Sequence, residues 1–318
     1  MEFADIEQAR DLLRNYLSPT RLIPAPSLSA VSAADVYLKL ESENPTGSFK
    51  VRGALNALFR LPQRGGAAGL ITTSTGNHGA AVAFAAREFG VSATIFLPEN
   101  PNPVKRARIA SFGAEIVEAG RDIEEARQHA ARLAKDRGWP ILEDVRDPDV
   151  SAGAATLGCE ILEQLPRADV LFVPVGDSNL IRGVAFAAKH LKPSVRIVGV
   201  QAELAPAYYR SWKERRPIST DSVGTIADGL ATRRADPENV REIQQRVDEM
   251  LLVSDEEMLR AVYRLLVDEH VFAEPAGAAS TAALLANGRA LAGKSVVLLV
   301  TGANISPDTL RRAILNNQ

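Results

Sequence analysis

At 318 residues the chain exceeds the size that a single hydrophobic core usually serves, so two lobes or one large α/β unit are expected, with a cleft suited to small ligands. Hydrophobic residues make up 46% and charged residues 24%, an ordinary globular balance, and the formal charge of -2 argues against nucleic acid or an anionic membrane surface as partner. The single cysteine, Cys159, excludes an intramolecular disulfide and a cysteine-based metal cluster. The N-terminus is acidic and amphipathic, and no run reaches the roughly 18 apolar residues of a membrane span, so a cytoplasmic protein is expected.

In chain order, β-rich apolar runs at residues 36–40, 93–97, 170–175, 195–200 and 295–300 alternate with alanine-rich stretches at 80–89, 123–137 and 256–269, whose length and period suit helices. This alternation predicts α/β architecture with a mostly parallel sheet. Ligands in such sheets bind at the carboxyl ends of strands, so chemistry is sought in the loops there. The stretch Gln63-Arg64-Gly65-Gly66-Ala67-Ala68-Gly69 reads as a flexible connector and lobe boundary. Cys159 falls on a helical apolar pattern and reads as a packing residue.

The first loop, Glu43-Asn44-Pro45-Thr46-Gly47-Ser48-Phe49-Lys50-Val51-Arg52-Gly53-Ala54, turns through Pro45 and Gly47 and begins a helix near Ser48. Lys50 therefore falls near a helix N-terminus, where the dipole and unpaired amides disfavour a cation and the amine should ionise less readily. Taken alone, such a lysine is more often a surface residue than a nucleophile. The second loop, Thr72-Thr73-Ser74-Thr75-Gly76-Asn77-His78-Gly79-Ala80, opens an alanine-rich helix with amides able to cradle a carboxylate. A plain N-cap accounts for one of its hydroxyls but gives Asn77 and His78 no purpose.

After the run at 170–175 comes Gly176-Asp177-Ser178-Asn179-Leu180-Ile181-Arg182-Gly183, leading into a helix at 184–190. Strand, glycine loop and helix start make a phosphate site, although a carboxylate at 177 would repel a phosphate dianion. The conflict is avoided if Asp177 caps the helix with its carboxylate turned away while Ser178 and Asn179 donate. The fourth loop is Gly224-Thr225-Ile226-Ala227-Asp228-Gly229-Leu230, by itself a common turn. The fifth is Val300-Thr301-Gly302-Ala303-Asn304 at the end of the last run. Glu274, in Phe272-Ala273-Glu274-Pro275-Ala276-Gly277-Ala278, is by position a first-turn acid on the helix that Pro275 begins.

Together, Ser48-Phe49-Lys50-Val51-Arg52-Gly53-Ala54 and the later Ser74-Thr75-Gly76-Asn77-His78-Gly79 resemble the fold-type II pyridoxal-phosphate enzymes, and among them the threonine/serine dehydratases and serine racemases. The likeness runs from residue 38 to 304. It implies an α/β fold of the tryptophan synthase β type, with two open, twisted, mostly parallel sheets flanked by helices. A large cofactor-binding domain would comprise residues 1–66 and 150–318, and a small mobile domain that closes on substrate would comprise 67–149. It implies pyridoxal 5'-phosphate as cofactor, held in an imine by the catalytic Lys50. Phe49 and Gly229 cover the two ring faces, where a glycine lets the backbone approach closely. Asn77 meets the phenolic oxygen, Gly176, Asp177, Ser178, Asn179 and Leu180 take the phosphate, Glu274 lies near the cofactor, and Thr301 meets the pyridine nitrogen. Ser74, Thr75, Gly76, Asn77 and His78 receive the substrate carboxylate.

The implied reaction is loss of water from threonine or serine: the amine of Lys50 removes the α-proton, the cofactor phosphate protonates the departing hydroxyl, and hydrolysis yields a 2-oxo acid and ammonia. A hydroxyl at the pyridine nitrogen leaves the ring a weaker electron sink, which favours β-elimination over transamination. Thr75 stands where serine racemases carry a second serine, so it is a second catalytic candidate, with racemisation ranked below elimination because its methyl group crowds the site. Dehydration of hydroxyaspartate or phenylserine is the alternative. A β-replacement enzyme of the cysteine synthase kind carries a different lysine motif, and a catalytically silent relative is argued against by Lys50. Dehydratases of this family carry glycines where Asp177, Ser178 and Asn179 stand, whereas the Gly-x-Ser-Asn pattern is similar to the phosphate loop of tryptophan synthase β chains. The divalent-cation site of eukaryotic members matches Glu203 but meets Tyr209 in place of an aspartate, so no metal is expected. Only residues 305–318 follow Asn304, from which neither a regulatory domain nor isoleucine feedback is expected. The expected assembly is a homodimer.

Overall fold

A computed structural model describes residues 1–64, 68–74, 76–101, 103–221 and 223–317. The chain divides into two compact units, Met1–Leu17 with Asn44–Ala154 and Ser18–Glu43 with Ala155–Gln318. Nine strands occur among the described residues: β1 (Leu22–Pro24), β2 (Asp35–Leu40), β3 (Gly69–Thr73), β4 (Ser92–Leu97), β5 (Glu115–Glu118), β6 (Val170–Pro174), β7 (Arg196–Ala202), β8 (Glu249–Val253) and β9 (Ser295–Val300).

The first unit holds a parallel sheet in the order β3-β4-β5. β3 and β4 are buried along nearly their whole length, as expected of parallel strands covered on both faces. Val51, Ala54, Leu55 and Leu58 of the Lys50–Arg60 helix share one core with Ala81, Val82 and Ala85 of the Asn77–Phe89 helix. Full burial of a residue such as Leu55 contributes about 1.5–3 kcal/mol, and the small alanines let the helices approach closely. The Ile123–Arg137 helix begins at Asp122, whose carboxylate accepts from the amides of Glu124 and Glu125, and stops at Gly138 with φ of 64°.

The second unit holds a six-stranded sheet in the order β1-β2-β9-β6-β7-β8, parallel except for the β1–β2 pair. Central β6 and β9 are wholly buried. The Pro275–Asn287 helix is anchored to this sheet by the Ser280 hydroxyl, which donates to the Phe172 carbonyl at 3.0 Å.

The expected fold is borne out: two mostly parallel sheets with helices between and around their strands. Four strands escaped the sequence pattern. β5 is exposed at both ends and carries Glu115 and Glu118, β8 begins with Glu249, β3 ends in two threonines, and β1 has only three residues, so none forms a long apolar run. The helix expected at 184–190 starts at Asn179, and that expected from Ser48 starts at Lys50. Gly65, Gly66 and Ala67 of the expected connector lie outside the described residues. No helix among the described residues is long and apolar enough to cross a membrane.

Candidate active site

In the first unit, a turn closed by the Gly47 amide on the Asn44 carbonyl at 2.7 Å leads into the Lys50–Arg60 helix. Gly47 has φ of 71°, a left-handed conformation that a residue lacking Cβ adopts without strain. Phe49 is the N-cap residue, and its ring centroid lies 5.0 Å from Lys50 Nζ. Lys50 is ion-paired with Asp144, the two side chains being 13% and 14% exposed. The helix start alone would leave the ammonium unsupported, and the Asp144 carboxylate supplies the missing counter-charge. Gly53 of the same motif is a packing residue: a Cβ there would stand 2.7 Å from Val150 Cγ1.

The loop after β3 is tied to the neighbouring strand by the Ser74 amide, which donates to the Phe96 carbonyl at 3.2 Å. The Ser74 hydroxyl accepts from the amides of Gly76 at 3.3 Å and Gly79 at 3.0 Å and so caps the turn into the Asn77–Phe89 helix. Asn77 opens that helix at intermediate exposure and His78 is buried. Thr75 lies outside the described residues.

Asp144 reaches this loop because its segment runs beside β3. The Ile71 amide donates to the Pro140 carbonyl at 2.9 Å, the Leu142 amide to the Ile71 carbonyl at 2.8 Å, and the Thr72 hydroxyl to the Leu142 carbonyl at 2.9 Å. Two residues further on, Asp144 Oδ1 stands 3.6 Å from His78 Nδ1 while Oδ2 meets Lys50. Lys50 and His78 thus converge on one carboxylate. Sequence reading missed Asp144, which sits in a short polar turn and belongs to no motif that was recognised.

In the second unit, Gly176 is pressed against the carbonyl oxygen of Gly229, where an added Cβ would overlap backbone. A Cβ at Gly229 would come 3.0 Å from Ala276 Cβ, and one at Gly277 would overlap the Gly302 carbonyl. The glycines of the third, fourth and fifth loops and of the Pro275–Asn287 helix therefore let these backbones nest. Asp177 Oδ1 accepts from the Asn179 amide at 3.2 Å, so its carboxylate faces the helix start. Ser178 has φ of 76° and is 1% exposed, with its hydroxyl beside the Tyr208 phenol. Asn179 and Leu180 are buried beside it. Burial pushes the phenol of Tyr208 above its usual value, and nearby Ser178 pulls it the other way.

The fourth loop is held by Asp255, which accepts from the Thr225 hydroxyl at 2.6 Å and the Ile226 amide at 3.1 Å. Glu274 is the N-cap residue of the Pro275–Asn287 helix, is 7% exposed, and makes no side-chain cap; its amide donates to the Gly302 carbonyl at 2.9 Å. Thr301 is buried at the end of β9. Cys159 is buried within the Pro148–Gln164 helix. The Tyr209 amide donates to Gln201 Oε1 at 2.8 Å, and no metal-ligating group of three side chains exists among the described residues.

The candidate residues form two internally ordered groups, one per unit: Phe49, Lys50, Ser74, Gly76, Asn77 and His78 in the first, and residues 176–180, Gly229, Glu274 and Thr301 in the second. The second group fits a phosphate ester. Ser178 is buried on left-handed backbone at the start of the Asn179–Leu191 helix, where a hydroxyl and helix-start amides suit an anionic oxygen.

A family model described as "Pyridoxal-phosphate dependent enzyme" matches residues 13–302. An L-threonine ammonia-lyase of Thermotoga maritima is 36% identical over 98% of this chain and 77% of its own length. Among solved structures, maize serine racemase superposes with a TM-score of 0.93 at 29% identity, covering 99% of this chain and 97% of that one. A threonine deaminase of the organism abbreviated T.th. gives a TM-score of 0.91 at 32% identity, covering 96% and 99%.

Proposed function

Because the chain belongs to the pyridoxal-phosphate dependent enzyme family, we propose that it is an ammonia-lyase of the threonine dehydratase type, converting L-threonine or L-serine to the 2-oxo acid and ammonia. The observation that carries this reading is the convergence of the Lys50 amine and the His78 ring on Asp144, which sets the motif's proton-removing group beside the loop for the substrate carboxylate. When bound, pyridoxal phosphate supplies the electron sink that accepts the pair left at Cα and lets the β-hydroxyl depart.

Lys50 would hold the cofactor through Nζ, and the same amine, when free, would take the α-proton. Ser74 already accepts two amide protons, so both its lone pairs are used and its own proton is offered to the substrate carboxylate, together with Gly76, Asn77 and His78. Thr75 supports exchange of a proton on the opposite face, as a minor racemase activity. Gly176, Asp177, Ser178, Asn179 and Leu180 would hold the phosphate, the Asp177 carboxylate accepting from the Asn179 amide. Phe49 and Gly229 would bound the cofactor ring, with Asn77 toward its phenolic oxygen, Glu274 nearby and the Thr301 hydroxyl toward its nitrogen. Residues 67–149 form the part that closes on substrate, and 1–66 with 150–318 the cofactor-binding part. A cytoplasmic homodimer acting on a small amino acid, with neither nucleic acid nor membrane as partner, completes the reading.

The test compares the purified protein with Lys50→Ala by cofactor absorbance and by 2-oxo acid release from threonine and serine. A band present in wild type and lost in the variant, with keto acid from either substrate, is expected. A wild-type protein that binds the cofactor but releases no keto acid from either would refute the proposal.

A further inference from the structure

We propose that Asp144 sets the charge selectivity of the substrate site, admitting a neutral or cationic β-substituent and excluding a second carboxylate; this rests on the reading above, in which Lys50 takes the α-proton. The Asp144 side chain is 14% exposed, contacts Lys50 Nζ through one oxygen and stands 3.6 Å from His78 Nδ1 through the other. A base must come within about 3 Å of the proton-bearing centre, so a carboxylate in contact with that base lies within about 6 Å of Cα and within range of a charge carried on Cβ. Like charges at that separation, in a largely buried site of effective dielectric about 20, change affinity on the order of tenfold to hundredfold.

The segment that carries Asp144 runs from beside β3 to a helix with its own cap. The segment is held by the hydrogen bonds of residues 140–142 to β3, and the start of the Pro148–Gln164 helix is capped by Asp147, whose Oδ1 accepts from the amides of Asp149 at 2.9 Å and Val150 at 3.3 Å. Asp144 contacts Lys50 and stands beside His78, the groups that the proposed function assigns to the α-proton and the substrate carboxylate. Among β-hydroxy amino acids, threonine, serine and phenylserine are accepted on this ground and 3-hydroxyaspartate is refused.

The test uses holoenzyme and two amino acids without a β-leaving group, L-asparagine and L-aspartate, which differ by a carboxamide against a carboxylate. Their dissociation constants are read from the change in cofactor absorbance, for wild type, Asp144→Asn and Asp144→Glu. The ratio of the two constants cancels any general effect of losing the Lys50 ion pair. Wild type should prefer asparagine by about tenfold or more, Asp144→Asn should bring the ratio near one, and Asp144→Glu should retain the preference. Should circular dichroism show Asp144→Asn unfolded, Asp144→Ser takes its place. Equal binding in wild type, as a protonated His78 neutralising the carboxylate would produce, or a ratio that removal of the charge leaves unchanged, overturns the proposal. A wild-type protein without cofactor absorbance overturns the functional reading and this inference with it, and shows itself before any amino acid is added.

Discussion

Replacing Gly176 by alanine tests how the loops of the second unit are nested. A Cβ at 176 would overlap the Gly229 carbonyl oxygen, which is backbone and cannot swing aside as a side chain would. Gly229 itself has little room behind it, since an added Cβ there would stand 3.0 Å from Ala276 Cβ. Overpacking against backbone costs about 1–3 kcal/mol, and the displaced loop is the one proposed to bound the cofactor ring. We therefore expect Gly176→Ala to lose about 2 kcal/mol in urea unfolding and to weaken cofactor binding by more than about tenfold, read by absorbance titration of the apoprotein. Gly224→Ala is the matched control: it lies on the same 224–230 loop, has no described atom within 4 Å of an added Cβ, and should change stability by less than about 0.5 kcal/mol. Equal effects at both positions, or wild-type cofactor affinity in Gly176→Ala, would refute the nesting argument.

Ser178→Ala removes a buried hydroxyl beside the Tyr208 phenol, so the apoprotein should lose no more than about 1 kcal/mol while its cofactor affinity falls; a larger stability loss without an affinity loss would contradict the phosphate role. Lys39 is fully buried, with Nζ 2.5 Å from Glu160 Oε1 and 2.8 Å from both the Thr20 carbonyl and Gln164 Oε1. Lys39→Met leaves the Glu160 carboxylate without its cation and should cost about 3–5 kcal/mol in urea unfolding, much of it recovered when Glu160→Gln is added. Tyr208 has its phenol raised above the usual 10.0 chiefly by burial, so the unfolded chain releases that proton first. Its stability contribution is complete below the unfolded value of 10.0 and is lost as pH rises through the higher folded value, and Tyr208→Phe should flatten the decline of unfolding free energy on the alkaline side.

Much of the chemistry was legible because it resides in local patterns. Lys50 and the Ser74–His78 loop were recognisable from contiguous motifs, and β2, β4, β6, β7 and β9 from apolar runs that a doubly covered parallel strand requires. Lys39 stood inside one of those runs without betraying its role, since Glu160 and Gln164 lie far along the chain. Capping by Asp177 was legible from its place before a helix start, and its carboxylate accepts from the Asn179 amide.

From sequence alone came the alternation of strand and helix, the residues of the five loops, and the family, because backbone propensity and short motifs act over a few residues. Only the tertiary structure decided the order β1-β2-β9-β6-β7-β8, the nesting of Gly176 on Gly229, and the arrival of Asp144 between Lys50 and His78. Each of these depends on contacts between segments distant in the chain, whose pairing is set by burial and hydrogen-bond register that no local window contains.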